Sequence, residues 1–423
     1  MPCVLCLLKG KNMKKTITAI SVTIVFLIFI LFVSLFIKNT TTNKSKENIN
    51  TESVTTVVQT ESTIPESSVY ESETTENKEE NEITLLIQNM TIEEKIGQLF
   101  IIRPQVLDFC YETVSEGTRL KYSQYPAGGF VLFSNNIYDP EQLTNFTNEL
   151  HSLSETLPPL ITIDEEGGSI TRIASSDFFD VEVFDDMETI AQDGNEHDAE
   201  NLGFVIGNYL MQYGIDLDFA PVADVNTNPS NPVIGCRAFG SDPVKAGKMV
   251  SSAVNGFHKS GEKCCIKHFP GHGDTNSDTH TGFAETLKNW EELKECEMIP
   301  FIDGINSKTD MVMAAHISVP NVTGTDIPAS LSEEIVTNKL RNELGFDGVI
   351  ITDSMEMGAV TDRYSSSEAA VKAISAGVDI ILMPENYEDA FNGIREALNE
   401  GIISEERIDE SLMRILKLKN KPA

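Results

Sequence analysis

The feature that most constrains this chain is an alternation. Short β-branched or apolar runs recur at residues 99–102, 129–133, 160–163, 217–222, 264–266, 311–314, 349–352 and 378–382. Between many of them lie stretches whose apolar residues return every three or four positions, at 140–153, 199–213, 244–259, 290–306, 332–344 and 366–376, the period of a helix with one buried face. Strand then helix, about eight times over, predicts a (β/α)8 barrel of the TIM type, because parallel neighbours need a crossover and helices supply it while covering the sheet. An open doubly wound sheet shares the alternation. It would carry a phosphate-cradling glycine loop after an early strand, and neither GxGxxG nor GxxxxGK[ST] stands there.

Polar residues fall where a barrel enzyme needs them. Asp164, Asp224, His268, His316 and Asp353 stand at or just past the C-terminal ends of their runs, the end where barrel enzymes build their sites. Singly, each has a structural reading: Asp164 as a helix N-cap, Asp224 as a turn residue, His316 as a satisfied core histidine. Together they would all gather on one face of one barrel, which weakens that reading. The densest stretch runs from Lys267 to His280 and holds His268, His272, Asp274, Asp278 and His280 among glycines. Following the run 264–266, it reads as a polar loop beginning where a strand ends. The alternative is a polar surface loop, although such loops rarely hold so many groups that titrate near neutrality.

The rest of the chain sets the surroundings. Residues 16–37 are almost continuously apolar, long enough to cross a bilayer as a helix. Lys9, Lys11, Lys14 and Lys15 precede them and only Lys38 follows closely, so residues 1–15 are expected in the cytoplasm and everything after the span outside. A cleavable signal peptide is the rival; the apolar core is longer than its usual length and no small-x-small site follows. Met13 is an alternative start. Residues 38–81, rich in Thr, Ser, Asn and Glu, lack the apolar side chains to build a core and read as a disordered tether. Residues 82–423 then form the single barrel domain.

A net charge of −33, from 65 acidic and 32 basic residues, argues against nucleic acid or an anionic membrane surface as partners. The seven cysteines show no paired framework of a disulfide scaffold. Cys264 and Cys265, adjacent on an expected strand, should face opposite sides.

At this point the residues carry a family resemblance. Lys267-His268-Phe269-Pro270-Gly271-His272-Gly273 with Asp278-Thr279-His280, Gly348-Val349-Ile350-Ile351-Thr352-Asp353-Ser354-Met355 and Ile163-Asp164-Glu165-Glu166-Gly167-Gly168 resemble the signature segments of glycoside hydrolase family 3, in its β-N-acetylhexosaminidase branch. So do Asp218-Phe219-Ala220-Pro221-Val222-Ala223-Asp224-Val225-Asn226 and the segment from Asn231 to Gly240. The similarity extends from about Met90 to about Leu418.

The resemblance implies a retaining glycosidase with Asp353 as nucleophile, His280 as acid/base catalyst and Asp278 as its dyad partner. It implies that Asp164, Arg172, Arg237, Lys267 and His268 bind the sugar's hydroxyls and N-acetyl group, that no metal or other cofactor is needed, and that the enzyme works as a monomer on terminal β-N-acetylglucosaminides. The chemistry is coherent. Retention needs a carboxylate beside the anomeric carbon. A histidine, with an unperturbed pKa of about 6.5, can both give and take a proton near neutrality, and Asp278 two residues away can fix its tautomer.

Two departures are visible. Glu165 and Ser169 stand where relatives often carry Gln and Arg, which is expected to alter the rim. The sequence runs only a few residues past Leu418, so the second domain that typically supplies the acid/base in the β-glucosidase branch is not expected, which favours the hexosaminidase branch. Two other classes stay open: a metal-dependent barrel hydrolase using His268, His272, Asp274, Asp278 and His280 as ligands, and a cell-surface glycan-binding protein without turnover, which needs neither Asp353 nor the Asp278–His280 pair. The natural aglycone stays open among muropeptides, chitin oligomers and host glycans, as does the choice of water or phosphate as acceptor.

Overall fold

The computed structural model describes residues 75–109, 111–275 and 284–421. Eight parallel strands, β1 (Phe100–Ile102), β2 (Gly129–Leu132), β3 (Leu160–Ile163), β4 (Leu217–Asp218), β5 (Lys263–Phe269), β6 (Met311–Ala314), β7 (Val349–Thr352) and β8 (Ile381–Leu382), pair in the order β7-β6-β5-β4-β3-β2-β1-β8. The sheet curls until its edges nearly meet. Ile351 in β7 forms a parallel bridge with Ile380, just before β8, and Met355 N donates to Leu382 O across the same seam. The result is a nearly closed parallel barrel, consistent with the TIM-type fold expected. Its strands are buried along their whole length, because one face fills the barrel and the other packs against helices.

The helix Pro243–Ser260 illustrates how the sequence sets such elements. Asp242 caps it by accepting from Val244 N and Lys245 N, Pro243 sits in the first turn where its missing N–H costs no bond, and Gly261 ends it at φ 96°. Its apolar face buries Met249, Val250, Val254 and Phe257. It meets the helix Glu196–Gln212 backbone to backbone: a Cβ on Gly203 would lie 2.3 Å from Ala253 O, and one on Gly256 2.1 Å from Glu200 O. A methyl group at either point would force the helices apart, at a cost of about 1–3 kcal/mol.

Several elements differ from the sequence reading. β5 runs on to Phe269, so Lys267 and His268 belong to the strand rather than to the loop beyond it. β4 pairs regularly only over Leu217–Asp218, since Pro221 has no N–H to contribute to a ladder. The stretch 290–306 is two helices, Trp290–Glu295 and Met298–Asn306; Pro300 fits only a first turn, which requires a new helix to start just before it. The stretch 332–344 winds as a ten-residue π-helix, Glu334–Glu343.

The helix Thr75–Asn89 begins inside the stretch read as tether. Ile83 and Ile87, one turn apart, are buried, and Lys417 on the last helix, Glu405–Asn420, lies 3.2 Å from Glu80. Few apolar residues sufficed because a partner surface was waiting. The expected segments at 1–15, 16–37 and 38–74 lie outside the described residues, as do Asp278 and His280. Among the described residues no helix is long and apolar enough to cross a membrane.

Candidate active site

The C-terminal ends of the strands surround a cavity of about 350 Å³, within the usual range for a small-ligand pocket. Asp164, Arg172, Arg237, Lys267, His268 and Asp353 all line it. Consecutive strand residues normally face opposite sides, yet Lys267 and His268 both reach the cavity. The register of β5 against β6 shifts between Lys267 and Phe269, and this bulge re-aims the pair.

One wall is an array of alternating charge. Lys267 Nζ lies 2.6 Å from Asp164 Oδ1 and 2.6 Å from Glu166 Oε1. Arg237 grips the same Glu166 with both arms of its fork, Nε to Oε2 at 2.8 Å and Nη2 to Oε1 at 2.6 Å, the favoured geometry for guanidinium on carboxylate. Burial alone would raise the Glu166 carboxyl, but the Lys267 and Arg237 charges overcome it and hold it well below the usual carboxylate range. Burial likewise works against the Lys267 ammonium, and Asp164 and Glu166 outweigh it, so its pKa is raised. The wall therefore stays ionised. Asp164 remains partly exposed, and Arg172 Nη2 stands 3.9 Å from its Oδ2.

Asp353 follows β7 and is fixed at the backbone by Asp353 N donating to Ala314 O at 2.8 Å. Its Oδ1 accepts from Ser354 N at 2.7 Å. Burial pushes this carboxyl up, while the neighbouring His268 and His316 and the Ser354 N–H pull it lower, and the net shift is downward. His316 is a core histidine with both nitrogens engaged: Nε2 donates to Ser354 O at 3.0 Å, leaving Nδ1 to face Ser330 Oγ at 2.7 Å. It serves the site by pinning the backbone next to Asp353.

Asp224, fully buried, organises the opposite side. Its Oδ2 lies 2.6 Å from His268 Nδ1, and its Oδ1 accepts from His272 N at 2.6 Å. The chain leaving the pocket is then clamped against the segment after β4. Asn231 Nδ2 donates to His272 O and Thr275 O at 2.9 and 3.0 Å. Gly273 touches that segment so closely that a Cβ would stand 2.0 Å from Val225 O. Asp278 and His280 follow this stem, outside the described residues.

The sequence reading put Glu165 on the rim. It is instead buried and structural, accepting from the backbone N–H groups of Arg172, Ile173 and Ala174 at 2.5, 3.0 and 2.8 Å and from Tyr209 Oη at 2.9 Å. A carboxylate suits this role because it offers acceptors only. It fixes the turn that presents Arg172; Ser169 is exposed, as expected for a rim residue. Sequence reasoning passed over Glu166 as a site residue, and also Arg103, Phe133 and Glu356. Arg103 and Phe133 directly follow β1 and β2, the same signal that exposed Asp164. Arg103 Nη2 pairs with Glu356 Oε2 at 2.7 Å, and its guanidinium lies 4.9 Å from the Phe133 ring centre. Among the described residues, His268, His272 and Asp274, ligands only in the alternative metal-dependent reading, do not come together as a three-ligand cluster.

A nearly closed parallel barrel with a polar, charge-balanced pocket at its C-terminal end and a carboxylate held ionised against it defines an α/β barrel with the layout of an enzyme site. The comparisons with known proteins specify which. The glycosyl hydrolase family 3 N terminal domain matches residues 91–418, and the chain belongs to that family. It is 34% identical over 327 residues to beta-hexosaminidase A of Pseudoalteromonas piscicida, covering 71% of this chain and 54% of that one. It is 33% identical over 301 residues to beta-hexosaminidase of Hydrogenovibrio crunogenus, covering 69% and 81%. The solved glycoside hydrolase family 3 beta-N-acetylglucosaminidase from Paenibacillus sp. superposes with a TM-score of 0.74 at 36% identity, over 78% of this chain and 62% of that one. The chain thus spans about half of the Pseudoalteromonas relative and most of the Hydrogenovibrio one.

Proposed function

We propose that this chain is a retaining β-N-acetylhexosaminidase that removes terminal β-N-acetylglucosamine through a covalent glycosyl-enzyme. The observation that carries the reading is Asp353: a carboxylate kept ionised at a strand end, opening into a cavity sized for about one sugar ring and walled by the Asp164, Lys267, Glu166 and Arg237 array. In the proposed mechanism Asp353 attacks the anomeric carbon while His280, oriented by Asp278, protonates the leaving oxygen. The same histidine then takes a proton from water as the intermediate is hydrolysed. Asp164 and Arg172 bind ring hydroxyls, and Arg237, Lys267 and His268 complete the hydroxyl and N-acetyl contacts.

The reading extends to the setting. Residues 16–37 anchor the chain in the cell membrane, 38–74 tether the barrel outside, and the natural substrates are peptidoglycan fragments or related amino-sugar glycans. Names of relatives support the sugar; the hydropathy and charge of the N-terminal sequence support the anchor.

The test is release of phenol from a chromogenic β-N-acetylglucosaminide, set beside the matching β-glucoside. Preference for the acetamido sugar supports the reading, and no turnover of any β-glycoside overturns it in favour of a binding protein. Turnover of purified muropeptides compared with chitin oligomers then decides the aglycone.

A further inference from the structure

At the opposite end of the barrel three metal-binding side chains of different kinds converge, and none takes part in the proposed chemistry. His258 lies in the last turn of the helix Pro243–Ser260, Cys264 is the second residue of β5, and Asp310 immediately precedes β6. His258 Nε2 is 3.0 Å from Asp310 Oδ2 and 4.0 Å from Cys264 Sγ, and all three donor atoms lie within 4.8 Å of one another. Asp310 Oδ2 also accepts from Cys264 N at 3.1 Å, which holds the carboxylate beside the sulfur.

We propose that His258, Cys264 and Asp310 form a three-ligand site for a tetrahedral, borderline-soft divalent cation such as zinc, tying that helix to β5 and β6. One thiolate, one imidazole and one carboxylate suit zinc or cobalt(II) rather than magnesium or calcium, which prefer oxygen alone. Metal–ligand lengths of about 2.0–2.3 Å in a tetrahedron place the donor atoms roughly 3.3–3.7 Å apart. The 3.0 and 4.0 Å separations straddle that range and the whole set lies within 4.8 Å, so modest side-chain shifts close the site. The fourth position falls to water, because Thr309 and Asp310 line a cavity of about 820 Å³ that gives an ion a way in. On binding, the Cys264 thiol proton leaves to solvent and the imidazole surrenders Nε2 to the metal.

One group competes. Lys421 Nζ sits 2.5 Å from Asp310 Oδ1, and as a cation it opposes a second cation. Its side chain is nearly half exposed and free to swing into water. The site is remote from the pocket, though it grips the start of the strand whose far end carries Lys267 and His268.

The test uses the full chain, kept reduced, and titrates cobalt(II). The expected result is one equivalent bound with a near-ultraviolet thiolate-to-cobalt charge-transfer band, displaced by zinc. The band should vanish in Cys264→Ser while a cooperative thermal melt persists, which shows that the variant is folded. Lys421→Ala, an exposed change, should tighten cobalt binding at least several-fold. A band that survives in Cys264→Ser, no band at one equivalent, or an affinity unchanged in Lys421→Ala would overturn the proposal. The outcome is independent of the proposed function, since neither the charge-transfer band nor the melt reads turnover.

Discussion

Asp224 Oδ2 lies 2.6 Å from His268 Nδ1, and this contact ties a pocket residue to the segment after β4. The same carboxylate accepts from His272 N, at the start of the stem that leads to Asp278 and His280. One buried anion therefore orients a pocket residue and anchors the segment expected to carry the proton donor. Burial would raise the Asp224 carboxyl, but the His268 charge and hydrogen bond, with the His272 N–H, bring it below its ordinary value.

Asp224→Ala should lower kcat/KM by about 10–100-fold, the usual cost of losing an orienting partner one shell out. Asp224→Asn keeps an acceptor of the same shape and should restore part of the loss. Steady-state kinetics on one aryl glycoside decides it, and equal losses in both variants would show that the negative charge rather than the geometry matters.

Glu166 makes stability depend on pH. Its folded pKa is depressed from an unfolded value of about 4.3, so its contribution is present above that value and is lost as pH falls toward the folded one. Glu166→Gln leaves the Lys267 and Arg237 charges buried and short of a counter-ion, a loss of about 3–5 kcal/mol at neutral pH. Thermal melts of the two proteins should converge as pH falls below about 4; a gap that stays constant from pH 7 to acid would sink the assignment.

The barrel was legible because its strands are apolar on both faces and its helices on one, and because Asp164, His268 and Asp353 stand where strands end. What the sequence hid has physical causes. A bulge is invisible to period-two reasoning, so Lys267 and His268 looked like loop residues. Pro300 marked a helix start rather than an interior position. Glu165 was read from its neighbours as a rim residue, while its partners are backbone N–H groups seven to nine residues on, which no pattern of side chains reveals. Glu166 looked like one acidic residue among many; its importance comes from Arg237, 71 positions away, and from Lys267, still farther along the chain.

The helix Thr75–Asn89 changes where the domain should be cut. A chain starting at residue 82 keeps Ile83 and Ile87 but removes the first two turns of that helix, including the Glu80–Lys417 contact. A chain starting at residue 75 is expected to melt higher by a few degrees, about 1 kcal/mol in a protein of this size. Both should turn over an aryl glycoside, and inactivity of both would show that the preceding residues belong to the folded unit.

Asp353→Ala should cut kcat by about 10⁴-fold or more while leaving affinity for a sugar product nearly unchanged, since a nucleophile acts mainly along the reaction coordinate. Calorimetric binding of N-acetylglucosamine beside single-turnover rates measures both. Near-native turnover on an activated aryl glycoside would remove Asp353 from the nucleophile's role.

The proton gives the sharpest test of the proposed His280 and Asp278 dyad. If His280 protonates the leaving oxygen, His280→Ala should be severely slowed on substrates with poor leaving groups and much less so on aryl glycosides whose phenolate departs unaided. Asp278→Ala should follow the same trend more weakly, because the imidazole remains but loses its orienting partner. With an activated substrate, formation of the glycosyl-enzyme on Asp353 stays fast in His280→Ala, and its hydrolysis becomes slow for want of a base. A small anionic nucleophile such as azide needs no base, so it should restore turnover and give a β-glycosyl azide, retention being the outcome of two displacements. Equal losses on activated and unactivated substrates, with no rescue by azide, would make His280 a binding residue and assign the proton to another group.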